Sequence, residues 1–213
     1  MPSRPPLGAK QRAAHDRCAA MLHHTCEQLT SRGVQFLNIN EVLRLSGGSK
    51  ATLVKYFGNR MGLIAAAIGA EASKVMGALA LDEAPITALS SADGLQHLLV
   101  GVLNFYLRPD SLRLYRAVIA SAETEASAAQ GFYEHGHRVI IETIVGFLEA
   151  RKMRSLDPKI DNYDVADIIL HAIRAGLFEQ ALLGLLPLPV HEDVIAIQAA
   201  RVVRLILPAL TNA

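Results

Sequence analysis

Two cationic and two hydroxyl-bearing side chains lie between Lys50 and Tyr56, and no acidic residue lies among them. On a helix, the spacing places these four on a face opposite Leu53 and Phe57, because residues four apart lie side by side. Ammonium groups contact phosphates or guanine edges, and hydroxyl groups reach phosphates or bases. We therefore predict major-groove DNA contacts, against the alternative of a solvated charged face, from Lys50, Thr52, Lys55 and Tyr56.

The surrounding stretch, 38–63, predicts two short helices, a tight turn and the start of a third helix. Asn38 is a suitable N-cap for the first helix. The sequence Ser46-Gly47-Gly48-Ser49 interrupts the apolar periodicity, and Ser49 can cap a second helix over 50–57. Free amides at helix N-termini attract phosphate, so the residues near them are further candidates for DNA contact or for capping: Asn38, Asn40, Ser49 and Arg60.

Two helices joined by a short glycine-containing turn have the general form of a helix-turn-helix. The stretch resembles the DNA-binding domain of the TetR (tetracycline-repressor-like) family of transcriptional regulators, whose characteristic positions are occupied in order by Gly33, Asn38, Ile39, Val42, Gly47, Ser49, Thr52, Leu53, Tyr56, Phe57, Arg60 and Leu63. Three positions depart from that family's pattern. Val54 replaces a tyrosine, Gly48 a small β-branched residue and Arg60 a lysine, so one DNA contact is in doubt at Val54 while Arg60 keeps its charge.

The charge is unevenly distributed along the 213 residues, although the whole chain carries only +1. Residues 1–80 contain ten Lys and Arg against four Asp and Glu, a net +6, whereas residues 81–213 contain eleven against sixteen, a net −5. The first part is therefore suited to a polyanion and the second is not. No apolar run reaches membrane-spanning length, and no signal peptide is evident, so we expect a cytoplasmic protein.

The periodicity predicts an all-α protein, and no stretch shows the alternation of a strand. We expect a flexible basic arm over 1–9, a helix-turn-helix domain over 10–60, a connecting helix over 61–81 and a helical ligand-binding and dimerisation domain over 82–213. Gly33 should end the first helix. In the last domain we expect helices over about 94–107, from 110 or 111, over 128–153, over 163–185 and over 191–210.

The last two helices are apolar almost all round. Polar residues form only a narrow stripe on the first of them, at Asp164, Asp167, His171 and Arg174. A helix of this kind must be covered on both sides, most simply by a second copy of the chain. A position in the centre of one chain is the alternative. The predicted homodimer interface comprises Ile169, Ile173, Leu177, Val194, Ile197, Val202 and Leu205.

The C-terminal half is similar to the AefR-like subset of the same family, through residues 114–136 and the helix that follows. The resemblance implies a cavity for a small hydrophobic or amphipathic effector, with plain core or surface packing as the alternative for each candidate. The candidates are Phe105, Tyr106, Tyr115, Phe132, Tyr133, His137 and Phe178.

The sequence contains no catalytic constellation, and we expect no enzyme activity, no cofactor and no metal. His135 and His137 are two apart, so on a helix they point in different directions. Cys18 and Cys26 are too far apart to form a disulfide, and core packing is favoured over redox sensing. The hypothesis is a homodimeric repressor that an effector releases from a palindromic operator. The alternatives are a similar regulator without an inducer and a helical-bundle enzyme or carrier.

Overall fold

The computed structural model describes residues 9–32, 36–81, 89–121 and 133–212. The fold is all-α, as predicted, apart from one small pair of strands. The helices, in order, are α1 (Ala9–Arg32), α2 (Ile39–Leu45), α3 (Lys50–Phe57), α4 (Arg60–Leu81), α5 (Ser91–Leu107), α6 (Pro109–Ser121), α7 (Arg138–Ala150), α8 (Asn162–Arg174), α9 (Leu177–Leu182) and α10 (Glu192–Ile206). A π-helical turn, Tyr133–His137, leads directly into α7.

The first core is built by α1 to α4 and includes Met21, Val42, Leu53 and Leu63, all buried. It also contains two residues from beyond this region, Leu114 and Val118 of α6. Helix α6 therefore contributes to the packing of the N-terminal helices. Ile68 and Tyr115 pack against both cores and so lie where the two meet.

The second core is larger and is formed by α5, α7, α8 and α10 with parts of α4, α6 and α9. Helix α8 has a full capping box: the Asp161 side chain accepts from the Asp164 amide, and the Asp164 carboxylate accepts from the Asp161 amide. The predicted single helix over 163–185 is wrong, because the chain breaks between α8 and α9. Gly176 lies there at φ +86°, a conformation that glycine adopts at little cost.

The final helix is also shorter than predicted. Beyond Ile206 the chain forms a 3₁₀ turn, Leu207–Ala209, and then strand β2, Leu210–Asn212, which pairs antiparallel with β1, Met153–Ser155. Met153 lies opposite Asn212 in this ladder. Three-residue strands are too short to show a period-two pattern, so these two strands could not be predicted from the amino-acid pattern.

The bounds of α3 and the end of α4 match the prediction. Gly33, the arm over 1–8 and Phe132 lie outside the described residues. Among the residues that are described, no helix is both long and apolar enough to cross a lipid bilayer.

Candidate DNA interface and effector region

Helix α2 is fixed to α1 by a polar network at its N-terminus. The Asn38 side-chain oxygen accepts from the Glu41 amide at 3.1 Å, which confirms the predicted cap. The Asn38 amide in turn donates to the Gln28 side-chain oxygen at 2.8 Å. Gln28 also donates to the Glu41 carboxylate at 3.2 Å, and Arg32 pairs with the same oxygen. This network sets the position of α2 against α1.

The turn between α2 and α3 depends on its two glycines. Gly47 has φ +63°. A Cβ on Gly48 would lie 1.9 Å from the terminal methyl of Met21, which is fully buried. The space that a β-branched residue would need at position 48 is therefore occupied by Met21. In this protein a methionine methyl group thus fills the place that a side chain at position 48 would take.

Ser49 caps α3, as predicted: its hydroxyl accepts from the Thr52 amide at 3.1 Å and lies 2.9 Å from the Thr52 hydroxyl. Along the rest of α3, Lys50, Lys55 and Tyr56 are exposed, and no acidic residue lies in the helix. The Lys55 ammonium lies 5.1 Å from the centre of the Tyr56 ring. The helix therefore presents a cationic and hydroxyl-bearing surface to solvent.

The remaining predicted DNA contacts are accessible to different degrees. Asn40 is exposed, whereas Thr52 and Arg60 are half-buried. Val54, where the family pattern has a tyrosine, has a side chain that is 54% exposed in the middle of α3. An exposed apolar side chain on this helix is suited to a thymine methyl group. Replacement of the tyrosine therefore leaves an exposed side chain at this position.

In the second region the structure brings together three of the predicted effector residues. The ring centres of Tyr106 and Phe178 are 5.2 Å apart, those of Tyr115 and Phe178 4.8 Å, and those of Tyr106 and Tyr115 5.7 Å. The Arg174 guanidinium lies against all three rings, at 5.0 Å from Tyr106, 5.7 Å from Tyr115 and 4.6 Å from Phe178. In the sequence, Arg174 is predicted only as part of the polar stripe of its helix.

Two polar atoms of this ring cluster are poorly paired. The Tyr106 hydroxyl and the Arg174 Nε are buried and make no hydrogen bond of good geometry, although the Tyr106 hydroxyl lies close enough to Tyr115 and Arg174 for both to lower its pKa in part. Burial raises the pKa of Tyr106 and, still further, that of Tyr115, so both phenols are neutral at physiological pH. Buried polar groups are usually satisfied, and a buried cation without an anion is costly. A hydrogen-bond acceptor placed here would pair with both the Tyr106 hydroxyl and the Arg174 guanidinium.

The ring cluster is closely packed. The space between Phe105, Tyr106, Tyr115 and Ile140 is only about 10 Å³, no more than one water molecule needs. A larger apolar groove of about 550 Å³ lies on the other side of Phe105, lined also by Leu107, Pro109, Leu188, Pro189 and Val190. His137 is buried, and its ring stacks on that of Tyr133, which is 55% exposed.

The predicted dimer interface needs correction. Ile169, Ile173 and Val202 are 0%, 0% and 3% exposed, because they are already packed in the core of a single chain, and Leu177 is half-buried. Val194, Ile197 and Leu205 are 42%, 50% and 77% exposed on α10. Ile168 of α8, which was not predicted, is 51% exposed. The exposed apolar surface thus lies on the outer sides of α8 and α10.

The sequence of residues 93–209, more than half of the chain, matches the family model for the C-terminal domain of AefR-like transcriptional repressors. None of the curated proteins matches the chain. Solved structures share its fold along most of its length. A Mesorhizobium loti protein assigned to the TetR family of regulators is 18% identical, with a TM-score of 0.66 over 92% of this chain and 98% of that one.

Two further structures give the same result. The flavonoid-responsive regulator FrrA is 22% identical, with a TM-score of 0.60 over 92% of this chain and 97% of that one. A TetR transcriptional regulator from Agrobacterium tumefaciens is 24% identical, with a TM-score of 0.55 over 91% and 94% of the two chains. At these identities the similarities show a shared fold.

Proposed function

Because the chain belongs to the TetR family of transcriptional regulators, with an AefR-like C-terminal domain, we propose that it is a homodimeric repressor released from a palindromic operator by a small amphipathic ligand. The observation that carries this proposal is the exposed basic surface of α3. Lys50, Lys55 and Tyr56 project from a helix whose N-terminus is fixed by Ser49. In this role, the lysines contact phosphates or guanine edges, and Val54 contacts a thymine methyl group.

A dimer provides the second half of the recognition. We assign its interface to the outer sides of α8 and α10, where Ile168, Val194, Ile197 and Leu205 are exposed. Residues 194, 197 and 205 lie on one side of α10 at helical spacing. A two-fold axis beside them would present two copies of α3 to half-sites about 34 Å apart, one turn of DNA.

The ligand site is assigned to the ring cluster around Arg174. Its chemistry favours a molecule with an apolar body, which packs against Tyr106, Tyr115 and Phe178, and a hydrogen-bond-accepting end directed at Arg174 and the Tyr106 hydroxyl. The rings must separate to admit it, because their centres lie only 4.8–5.7 Å apart and the space beside Tyr106 and Tyr115 holds no more than about one water molecule. Phe178 lies on α9, a short helix between Gly176 and Gly184, both with positive φ.

Ligand binding is coupled to DNA release through α6. Tyr115 belongs to the ring cluster, while Leu114 and Val118 on the same helix pack in the first core, beneath the DNA-binding helices. A displacement of Tyr115 therefore reaches the helices that hold α3. A ligand shifts this equilibrium only as far as it binds the released state more tightly.

Footprinting of the intergenic DNA that flanks the gene tests the proposal. We expect a protected segment with two-fold sequence symmetry, and loss of protection when small-molecule extract of the host cells is added. No protected segment at micromolar protein would contradict DNA recognition. Protection that persists with every extract would leave DNA recognition in place and contradict release by a ligand.

One observation favours a second candidate, a regulator of the same family without a small-molecule inducer. The aromatic side chains around Arg174 already fill the interior, and their edge-to-face contacts stabilise one another. Such a protein would respond to a partner protein or bind its operator constitutively. Persistent protection in every extract is the result that this candidate predicts.

A further inference from the structure

Three metal-binding side chains from two separate elements converge beside the ring cluster. His137 ends the π-helical turn, and Asp167 and His171 lie four residues apart on α8. One donor atom from each of the three lies within 4.8 Å of the other two. Residues four apart on a helix lie on one face, so α8 offers a pair of ligands and the π-helical turn offers a third.

The distances are close to those of a metal site. His137 Nε2 lies 3.7 Å from Asp167 Oδ1, and His171 Nδ1 lies 3.6 Å from the same oxygen. Tetrahedral zinc, with bonds of about 2.0–2.1 Å, separates its ligand atoms by about 3.4 Å. The two distances from Asp167 exceed that separation by only about 0.3 Å, whereas the donor atoms of His137 and His171 lie within 4.8 Å of each other and would approach as the ion binds.

The His171 Nδ1 atom lies 2.8 Å from the backbone oxygen of Asp167 as well as 3.6 Å from the Asp167 carboxylate. Coordination of a metal ion through Nδ1, the atom from which the donor distance is measured, replaces the contact with the backbone oxygen.

The surroundings supply access and one opposing charge. Asp167 and His171 are 48% and 59% exposed at their side chains, so an ion can enter and a water molecule can complete the coordination. Arg174, one turn beyond His171, repels a cation, whereas the Asp167 carboxylate attracts it. The Tyr133 ring stacks on His137 and orients its imidazole.

We propose that His137, Asp167 and His171 form a binding site for one divalent transition-metal ion, with water as a further ligand. Two imidazoles and one carboxylate favour Zn²⁺, Co²⁺ or Ni²⁺ over Mg²⁺ or Ca²⁺. The ion joins the π-helical turn, which packs against α4, to α8. This site is separate from the proposed repressor function, and its occupancy can be measured without DNA or effector.

Cobalt titration of the full-length, untagged and metal-free protein tests the site. We expect visible absorption bands of bound Co²⁺ that saturate at one ion per chain, and loss of those bands when Zn²⁺ is added. A rise in melting temperature with Zn²⁺ should accompany binding. If the wild-type protein binds neither ion at micromolar concentration, the proposal is wrong.

Variants locate the bound ion. Asp167→Asn and His171→Ala change half-exposed side chains. Each should weaken Co²⁺ affinity by at least about tenfold, because loss of even a residue that only hydrogen-bonds to a metal ligand weakens metal binding by about that factor. The control is His24→Ala, because His23, His24 and Glu27 on α1 form the other such group among the described residues. Unchanged affinity in Asp167→Asn and His171→Ala, or lost affinity in His24→Ala, would overturn the proposal.

Discussion

Gly62 and Phe57 approach each other so closely that a Cβ on Gly62 would lie 1.9 Å from the backbone oxygen of Phe57. Phe57 ends α3 and Gly62 lies in the first turn of α4, so this contact sets the angle between the two helices. We expect Gly62→Ala to destabilise the protein by about 1–3 kcal/mol, because the backbone must shift to admit the methyl group. Operator affinity should fall as well. Thermal unfolding and DNA titration measure both effects.

Gly77→Ala is the matched control, because Gly77 lies in the same helix with nothing within 4 Å of an added Cβ. Alanine is the better helix former by about 0.5–1 kcal/mol, so this variant should be neutral or stabilised. Equal stability of the two variants would contradict a close contact between Gly62 and Phe57.

The lysines of α3 should control the salt dependence of operator binding. In Lys50→Ala and Lys55→Ala each chain loses one cationic contact, so a dimer loses two and the slope of log affinity against log salt should shrink by about 2. Fluorescence anisotropy across a series of salt concentrations measures the slope. Lys159→Ala removes an exposed lysine far from α3 and should leave it unchanged. Wild-type slopes in both α3 variants would exclude this helix as the DNA contact.

An acidic side chain on the outer surface of α10 should separate the dimer. Ile197 is half exposed in one chain, so Ile197→Asp is tolerated by the monomer but places two carboxylates in the proposed interface. We expect the dimer to dissociate at least about tenfold more readily, equivalent to about 1.4 kcal/mol. Sedimentation at micromolar concentration measures this.

Ile119→Asp is the control for Ile197, since Ile119 is exposed to a similar extent on α6. It should sediment as the wild type does. A wild-type protein that is itself monomeric at micromolar concentration would contradict the proposed dimer.

Replacing Arg174 should separate stability from ligand response. Arg174→Met keeps an apolar stem among the three rings and removes a half-buried charge, so we expect stability within about 1 kcal/mol of the wild type. Release from the operator by cell extract should be lost. Arg138→Met, an exposed arginine at the start of α7, should keep the response. Retained release in Arg174→Met would place the ligand elsewhere.

Cys26 predicts a loss of stability in alkali. Burial is the main cause that raises its pKa from 9.0 to about 11, and its thiol donates to the Ala67 oxygen at 3.0 Å. Between these two pH values the Cys26 thiol is ionised in the unfolded chain and neutral in the folded chain. The thiol therefore does not reduce the free energy of unfolding below pH 9, and it reduces it progressively as the pH rises to 11. The loss attributable to Cys26 at pH 10.5 should be about 1–2 kcal/mol.

Denaturant unfolding measures the free energy of unfolding of the wild type and of Cys26→Ala at pH 7 and pH 10.5. The Cys26→Ala variant should lack the part of the alkaline decline that is attributed to Cys26, whereas Cys18→Ala should retain that part. An identical decline in Cys26→Ala would show that the thiol has no such role.

Local features of the DNA-binding region could be predicted from the sequence because each depends on residues three apart. Asn38 and Ser49 both cap the helices expected of them, and α3 has the predicted bounds. The pairing of β1 with β2 could not be predicted, since each strand is three residues long and its partner is distant in the chain.

The helix in which a residue lies could be predicted better than the surroundings of its side chain. Periodicity identified the apolar sides of α8 and α10 but not which side the chain itself covers, so Ile169, Ile173 and Val202 were assigned outward. Arg174 was grouped with solvent-facing residues, because the rings that surround it come from α5, α6 and α9. As a metal ligand, His137 pairs in the sequence only with His135, whereas folding places it beside Asp167 and His171 of α8.

The packing of Leu114 and Val118 among the N-terminal helices has a practical consequence. A fragment that ended at Leu81 would lack these two side chains. Leu63 and Ile64, which belong to the same core, would then be more exposed. The first 81 residues therefore lack part of the core in which they pack, and domain exchange between relatives should carry α6 along with the DNA-binding helices.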